Sequence, residues 1–131
     1  MTTTSAAESA QRQWAALTRI VERHAATEEQ RRRAVHPTAA EPHEAVRLVL
    51  GLALGSVAAG AGEPSVDDED LMAALTLMAH VRSEVDQLEL GLLNAARGRE
   101  LTWQAIARGM GLNSPQAVKQ RHDRLTERQP E

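Results

Sequence analysis

The chain has 131 residues, which allows one ordinary domain or one small domain with a helical extension. Hydrophobic residues make up 42% and aromatic residues only 2%, so alanine, leucine, valine and methionine must fill the interior, which favours an all-α fold over sheets. The absence of cysteine excludes disulfides, thiolate metal sites and a cysteine nucleophile, and the net charge of -3 disfavours nucleic-acid binding by the chain as a whole.

The N-terminal third predicts one amphipathic helix followed by a linker. Trp14, Leu17, Val21 and His24 recur at helical spacing, which predicts a helix over about residues 6–33 with these side chains on one face. Prolines at positions 37 and 42 predict a linker over residues 36–41. The start, MTTTSAAESA, has no basic segment before an apolar run, so no secretory signal is predicted and the cytoplasm is the expected location.

The next predicted helix, over residues 42–59, is apolar nearly all round. Its uncharged run after Arg47 is about 15 residues long, shorter than the roughly 20 that a membrane span requires. No membrane association is therefore predicted. A buried core helix or a helix at a homodimer interface fits the pattern, and Gly51 and Gly55, four residues apart, would permit close helix approach.

A third, long helix is predicted from the acidic segment at residues 65–70 to about Arg97. Ser65 or Asp67 can cap it, and the carboxylates complement the positive end of the helix dipole. A metal site is the alternative interpretation of these acids, but a charged helix start is the commoner one. One stripe of this helix is predicted to carry Leu71, Leu75, Met78, Arg82, Val85, Leu88 and Leu92.

The C-terminal part predicts a helix-turn-helix over residues 101–125, LTWQAIARGMGLNSPQAVKQRHDRL. Thr102 can cap a short helix, Gly111 suits the left-handed turn after it, and Ser114 followed by Pro115 opens a second helix. Two short helices joined in this way allow the second to enter the major groove of DNA. Residues 95–131 also carry seven basic and four acidic residues, whereas residues 63–94 carry eight acids and only Arg82.

This segment resembles small actinobacterial helix-turn-helix proteins related to the DNA-binding region four of sigma factors, with a string of the type SWxxIAxxLGxxSxQAxxxRxxRL. The matching positions are Thr102, Trp103, Ile106, Ala107, Gly111, Leu112, Ser114, Gln116, Ala117, Arg121 and Leu125. The segment VRSEVDQLELGLLNAARGRE also resembles the first helix of such a tri-helical unit. The resemblance covers about residues 82–125 and implies DNA binding, but it does not extend to residues 1–65.

If the helix over residues 114–125 enters the major groove, its outward side chains are the candidate base contacts: Gln116, Lys119, Gln120 and Asp123. The candidate phosphate contacts are Thr102, Ser114, Arg121 and Arg124, with Arg97, Arg99 and Arg108 at the margins. Arg121 could instead pair with an acid of the preceding helix. Trp103 is interpreted as an anchor in or beside the core.

Two other functional classes remain as alternatives. An enzyme is disfavoured: RSEVDQLELGLL faintly resembles the opening helix of all-helical chorismate mutases, but the segment after it matches the DNA-binding pattern better, and the five histidines share no metal-ligand spacing. No catalytic residue, metal or cofactor is predicted. A protein-interaction module, binding a partner through the N-terminal helices, is the stronger alternative.

The sequence therefore predicts two regions. Residues 1–65 would form helices that pack on the long central helix and against a second subunit, and residues 66–131 would form the DNA-binding domain. The expected protein is a homodimeric transcription regulator that binds double-stranded DNA.

Overall fold

The computed structural model describes residues 2–33 and 41–128, and every regular element within them is a helix. The helices are α1 (Thr2–His24), α2 (Glu28–Arg31), α3 (Pro42–Leu54), α4 (Asp68–Gly98), α5 (Trp103–Met110) and α6 (Pro115–Arg128). The predicted all-α fold is confirmed. The chain divides into two compact units, unit 1 (Met1–Val81) and unit 2 (Arg82–Glu131). The boundary predicted from the sequence lies after residue 65, whereas the first turns of α4 supply core residues to unit 1.

The first predicted helix is two helices. Helix α1 ends at His24, and Thr27 starts α2 with a capping box: its hydroxyl accepts a hydrogen bond from the Gln30 amide at 3.0 Å, while Gln30 Oε1 accepts one from the Thr27 amide at 3.1 Å. The predicted linker lies outside the described residues except for Glu41. Pro42 occupies the first turn of α3, as expected.

The core of unit 1 contains apolar side chains from α1, α3 and α4, and four of the seven are alanines: Ala16, Ile20, Ala45, Val49, Ala73, Ala74 and Leu77. The buried face of α1 consists of Ala16, Ile20 and His24, with Leu17 beside it. The placement of Trp14 on this face is wrong, since 69% of its surface is exposed. The alanines explain the difference, because they let the helices approach closely without a large aromatic between them.

Helix α3 is shorter than predicted because Gly55 ends it in the left-handed conformation, with φ of 83°. Gly51 has a role within the chain: a Cβ there would lie 2.5 Å from Val57 Cγ2, and the Val57 amide donates to the Gly51 carbonyl at 3.1 Å. The glycine therefore lets the chain fold back after α3. Among residues 2–33 and 41–128, no helix has the length and apolar character needed to span a membrane.

Helix α4 begins as expected but buries a different stripe. The Asp67 side chain accepts from the Asp70 amide at 2.8 Å and caps the helix. Its buried residues are Asp70, Ala73, Ala74 and Leu77 in unit 1 and Leu93 in unit 2. The predicted apolar stripe of α4 is not its core face, because most of its large apolar side chains are exposed: Leu71, Leu75, Val85, Leu88 and Leu92.

Candidate nucleic-acid interface

Unit 2 is built around one apolar cluster to which all three of its helices contribute. Leu93 comes from α4, Ile106 and Ala107 from α5, and Val118 and Leu125 from α6. Partly buried side chains surround them: Leu90, Ala96, Trp103 and Leu112. Because Ala107 is small and only 3% exposed at this point, α5 and α6 can pack closely.

Side-chain caps define where α5 and α6 begin, and a left-handed glycine defines the turn between them. The Thr102 hydroxyl accepts from the Ala105 amide at 3.0 Å, and the Ser114 hydroxyl accepts from the Ala117 amide at 3.2 Å. Gly111 has φ of 72°, and the Leu112 amide donates to the Ala107 carbonyl at 2.8 Å. Each hydroxyl keeps its own proton, so it can still donate a hydrogen bond to a phosphate oxygen.

Helix α6 has one apolar face and one polar face. Val118 and Leu125 are buried in the cluster, whereas five of the predicted contact residues are exposed: Gln116, Lys119, Gln120, Asp123 and Arg124. Asp123 and the exposed Glu127 place two carboxylates in the second half of the helix. The first half therefore carries Lys119 and no carboxylate, whereas in the second half these two carboxylates offset the exposed Arg124 and Arg128.

Arg121 does not belong to this exposed face. Its Nε and Nη2 donate to the two carboxylate oxygens of Glu89 on α4, the latter bond measuring 2.8 Å. These bonds lower the pKa of Glu89 and raise that of Arg121, each mainly through the hydrogen bond to the other. Of the two interpretations of Arg121, the structure therefore shows the pairing with an acid. That acid lies on α4 and not on α5, the helix directly before α6.

Two further polar contacts join α6 to α4. His122 Nε2 lies 2.8 Å from Asn94 Oδ1, and Arg128 Nη1 lies 3.5 Å from Asp86 Oδ2. Asp86, Glu89 and Asn94 were not among the residues predicted for this site. Asp86 and Glu89 lie three positions apart on α4, and Asn94 directly follows the buried Leu93. Two acids at helical spacing, with arginines on a later helix, are the signal that could have identified Asp86 and Glu89.

Trp103 is an anchor beside the core, as predicted. Its ring packs against the apolar cluster of unit 2, lies 5.7 Å from the His122 ring in an edge arrangement, and carries the Arg97 guanidinium 4.6 Å from its centroid. Arg97 also donates to the Leu101 carbonyl at 2.8 Å. Arg99 and Arg108 are exposed, and Arg108 lies in the last turn of α5.

A second group of polar residues, in unit 1, was not predicted. His24 lies between two carboxylates: Nδ1 is 2.6 Å from Glu63 Oε2, and Nε2 is 3.1 Å from Asp70 Oδ2. All three side chains are fully buried. Arginines complete what we call the His24 cluster: Arg19 and Arg23 on Asp70, and Arg33 on Glu63.

The His24 cluster is internally satisfied. Burial opposes ionisation of Glu63, but hydrogen bonds from Arg33, the Gly60 amide and His24 outweigh it and lower its pKa to about 2. Among the described residues, no buried side-chain nitrogen or oxygen lacks a hydrogen-bond partner, and no group of three or more His, Cys, Asp or Glu residues is arranged to hold a metal ion. The cluster therefore joins α1, the segment after α3 and the start of α4, and offers no open ligand position.

Comparison with protein-family models, with curated proteins and with solved structures finds no match. A function for this chain therefore rests on its own side chains. The exposed polar face of α6, with Gln116, Lys119 and Gln120, is the best-defined candidate surface in unit 2.

Proposed function

We propose that unit 2 binds double-stranded DNA with the first half of α6 in the major groove, and that the protein regulates transcription. The observation that carries this proposal is that α6 has a buried apolar face and an exposed polar face. Its apolar face is used by the core, while Gln116, Lys119 and Gln120 are exposed together on the opposite side. A helix fixed in this way can lie in the groove without exposing core residues.

The chemistry of this face suits base readout. A glutamine amide can pair with the N6 and N7 groups of adenine, and a lysine ammonium can donate to guanine O6 and N7. Asp123, whose side chain is 77% exposed, can accept from cytosine N4. Arg124 and Arg108, with the capping hydroxyls of Thr102 and Ser114, would bind phosphates and set the position of α6.

We further propose that the protein acts as a homodimer, so that two α6 helices reach successive major grooves. Exposed leucines on α3, Leu50 and Leu54, support an apolar contact outside the chain. Sedimentation at micromolar concentration measures the mass directly. A monomer, with or without a duplex, would contradict this part of the proposal.

A protein-interaction module is the second candidate function. It is favoured by the exposed apolar side chains of α4, above all Met72, Leu75, Leu88 and Leu92. Salt dependence separates the two functions. Binding through several phosphates weakens steeply as salt rises, with a slope of about -0.9 per phosphate in log K against log salt, whereas an apolar protein contact does not.

The direct test is selection from a pool of random duplexes, followed by fluorescence anisotropy with the selected and a scrambled duplex. The variant Gln116→Ala/Lys119→Ala is expected to lose the preference for the selected duplex and to keep the wild-type circular-dichroism melt. Gln11→Ala/Arg12→Ala removes the same kinds of group from exposed positions of α1 and is the matched control. An unchanged preference of the α6 variant for the selected duplex would contradict the assignment of this face, and no enrichment of any duplex would contradict DNA binding.

A further inference from the structure

We infer that Glu89 is a positioning residue for duplex binding. By accepting both hydrogen bonds from Arg121 it orients α6 relative to α4, so Arg121 contributes to DNA binding through this pair and not by contacting phosphate. This inference rests on the proposed function and adds a residue outside α6 to it. Glu89 lies on α4, 32 positions before its partner in sequence. It would determine how α6 is presented without contacting the duplex itself.

The position of Arg121 on α6 turns it away from the proposed DNA face. It follows the buried Val118 by three residues and precedes the buried Leu125 by four, so it lies along the side of α6 that faces the unit 2 core. Gln116 and Gln120 project from the opposite side of the helix. A guanidinium held toward α4 is therefore poorly placed to reach the duplex.

The geometry of the Glu89–Arg121 pair fixes the orientation of the Arg121 guanidinium relative to α4. Both carboxylate oxygens of Glu89 accept from the same guanidinium, through its Nε and Nη2 groups. The pair is partly shielded, with 43% of the Arg121 side chain and 23% of the Glu89 side chain exposed. A planar two-point contact sets direction as well as distance, which a single point charge does not.

The pair also adds direction to the apolar packing of α6. The apolar cluster holds α6 against unit 2, but apolar packing alone is less directional than hydrogen bonding. The Asn94–His122 and Asp86–Arg128 contacts lie on either side of Glu89 along α4. Glu89 therefore lies between the two other polar contacts, and the three together oppose rotation of α6. This matters because base readout requires the contacting side chains to be held within about 0.5 Å of their productive positions.

The test changes the charges of the pair and measures binding to two duplexes, the selected one and a scrambled one. Glu89→Gln leaves Arg121 charged, removes its carboxylate partner and replaces one of its two acceptor oxygens by an NH₂ group. A positioning role predicts at least a roughly tenfold loss of affinity for the selected duplex, about the cost of one misplaced base contact, and a much smaller loss for the scrambled one. A phosphate contact predicts unchanged or tighter binding to both, because the freed guanidinium adds a cation near the backbone.

The reversed pair, Glu89→Arg/Arg121→Glu, is expected to recover most of the preference that either single reversal loses. Arg124→Gln is the matched control, since Arg124 is exposed and is a proposed phosphate contact. It should weaken both duplexes equally and reduce the salt slope by about 0.9. Circular-dichroism melts of every variant identify loss of folding.

If Glu89→Gln binds both duplexes as well as the wild type does, or if the reversed pair folds but recovers no preference, the inference is overturned while DNA binding stands. If the wild type binds no duplex at all, the proposed function fails and the inference fails with it.

Discussion

Replacing Glu63 by glutamine is expected to destabilise unit 1 and to remove much of its sensitivity to acid. The Glu63 carboxylate is fully buried and accepts from Arg33 at 2.9 Å, from the Gly60 amide at 2.7 Å and from His24 at 2.6 Å. A glutamine amide retains one acceptor oxygen but presents an NH₂ group where the carboxylate had its second. Arg33 and His24 would then share one acceptor oxygen in place of two.

The magnitude follows from the pKa of Glu63, which falls from 4.5 to about 2 on folding. Each pH unit between the unfolded and folded pKa is worth about 1.4 kcal/mol, so this interval corresponds to about 3 kcal/mol. Because the folded pKa is the lower one, the contribution is fully present above the unfolded pKa of 4.5. It declines as the pH falls from there towards the folded pKa of about 2.

Urea unfolding at about pH 7, 5, 4 and 3 measures this effect, since the contribution is complete at the first two values and more than half of it is lost by the last. Circular dichroism follows both units. In a Trp14→Phe background, which leaves Trp103 as the one tryptophan of the sequence, fluorescence of the partly buried Trp103 reports unit 2 and serves as an internal control. Glu63→Gln should lower the free energy of unfolding at neutral pH by about 3 kcal/mol and flatten the decline in acid. Glu22→Gln, an exposed carboxylate on α1, should do neither. An acid profile for Glu63→Gln as steep as that of the wild type would refute the reasoning.

Changes at four positions test unit 2, each followed by Trp103 fluorescence in urea in the same single-tryptophan background. Ala107→Leu is expected to destabilise it by about 1–3 kcal/mol, because the side chain is buried between helices; retained stability would show that the helix pair has been misinterpreted. Gly111→Ala should cost about 1–2 kcal/mol at its φ of 72°, whereas Gly109→Ala, inside α5 with open space around it, should gain about 0.5–1 kcal/mol; similar effects at both positions would contradict the turn geometry. Thr102→Ala should cost about 1 kcal/mol and Thr102→Ser almost nothing, and an equal loss in both would show that the cap is not the hydroxyl.

Local features of unit 2 were predictable from short stretches of sequence. The caps at Thr102 and Ser114, the left-handed Gly111 and the exposure of Gln116 and Lys119 depend on residues close together in the chain. Such features follow from helix geometry, which is the same in any fold. The capping box at Thr27 was equally local, but it was missed because an amphipathic pattern runs across it.

The composition and the spacing of residues determined that this chain is helical, where most of its helices begin, and which side of α6 is polar. Only the tertiary structure decided which stripe of α4 is buried, because alanines permit a closer helix approach than the leucines that dominate the pattern. It also decided the partners of charged groups, since Glu63 meets His24 across 39 positions and Glu89 meets Arg121 across 32. The spacing of residues shows which helix faces can be buried. Which distant faces and charges meet depends on how the helices pack, and that packing is not encoded in any one stretch of sequence.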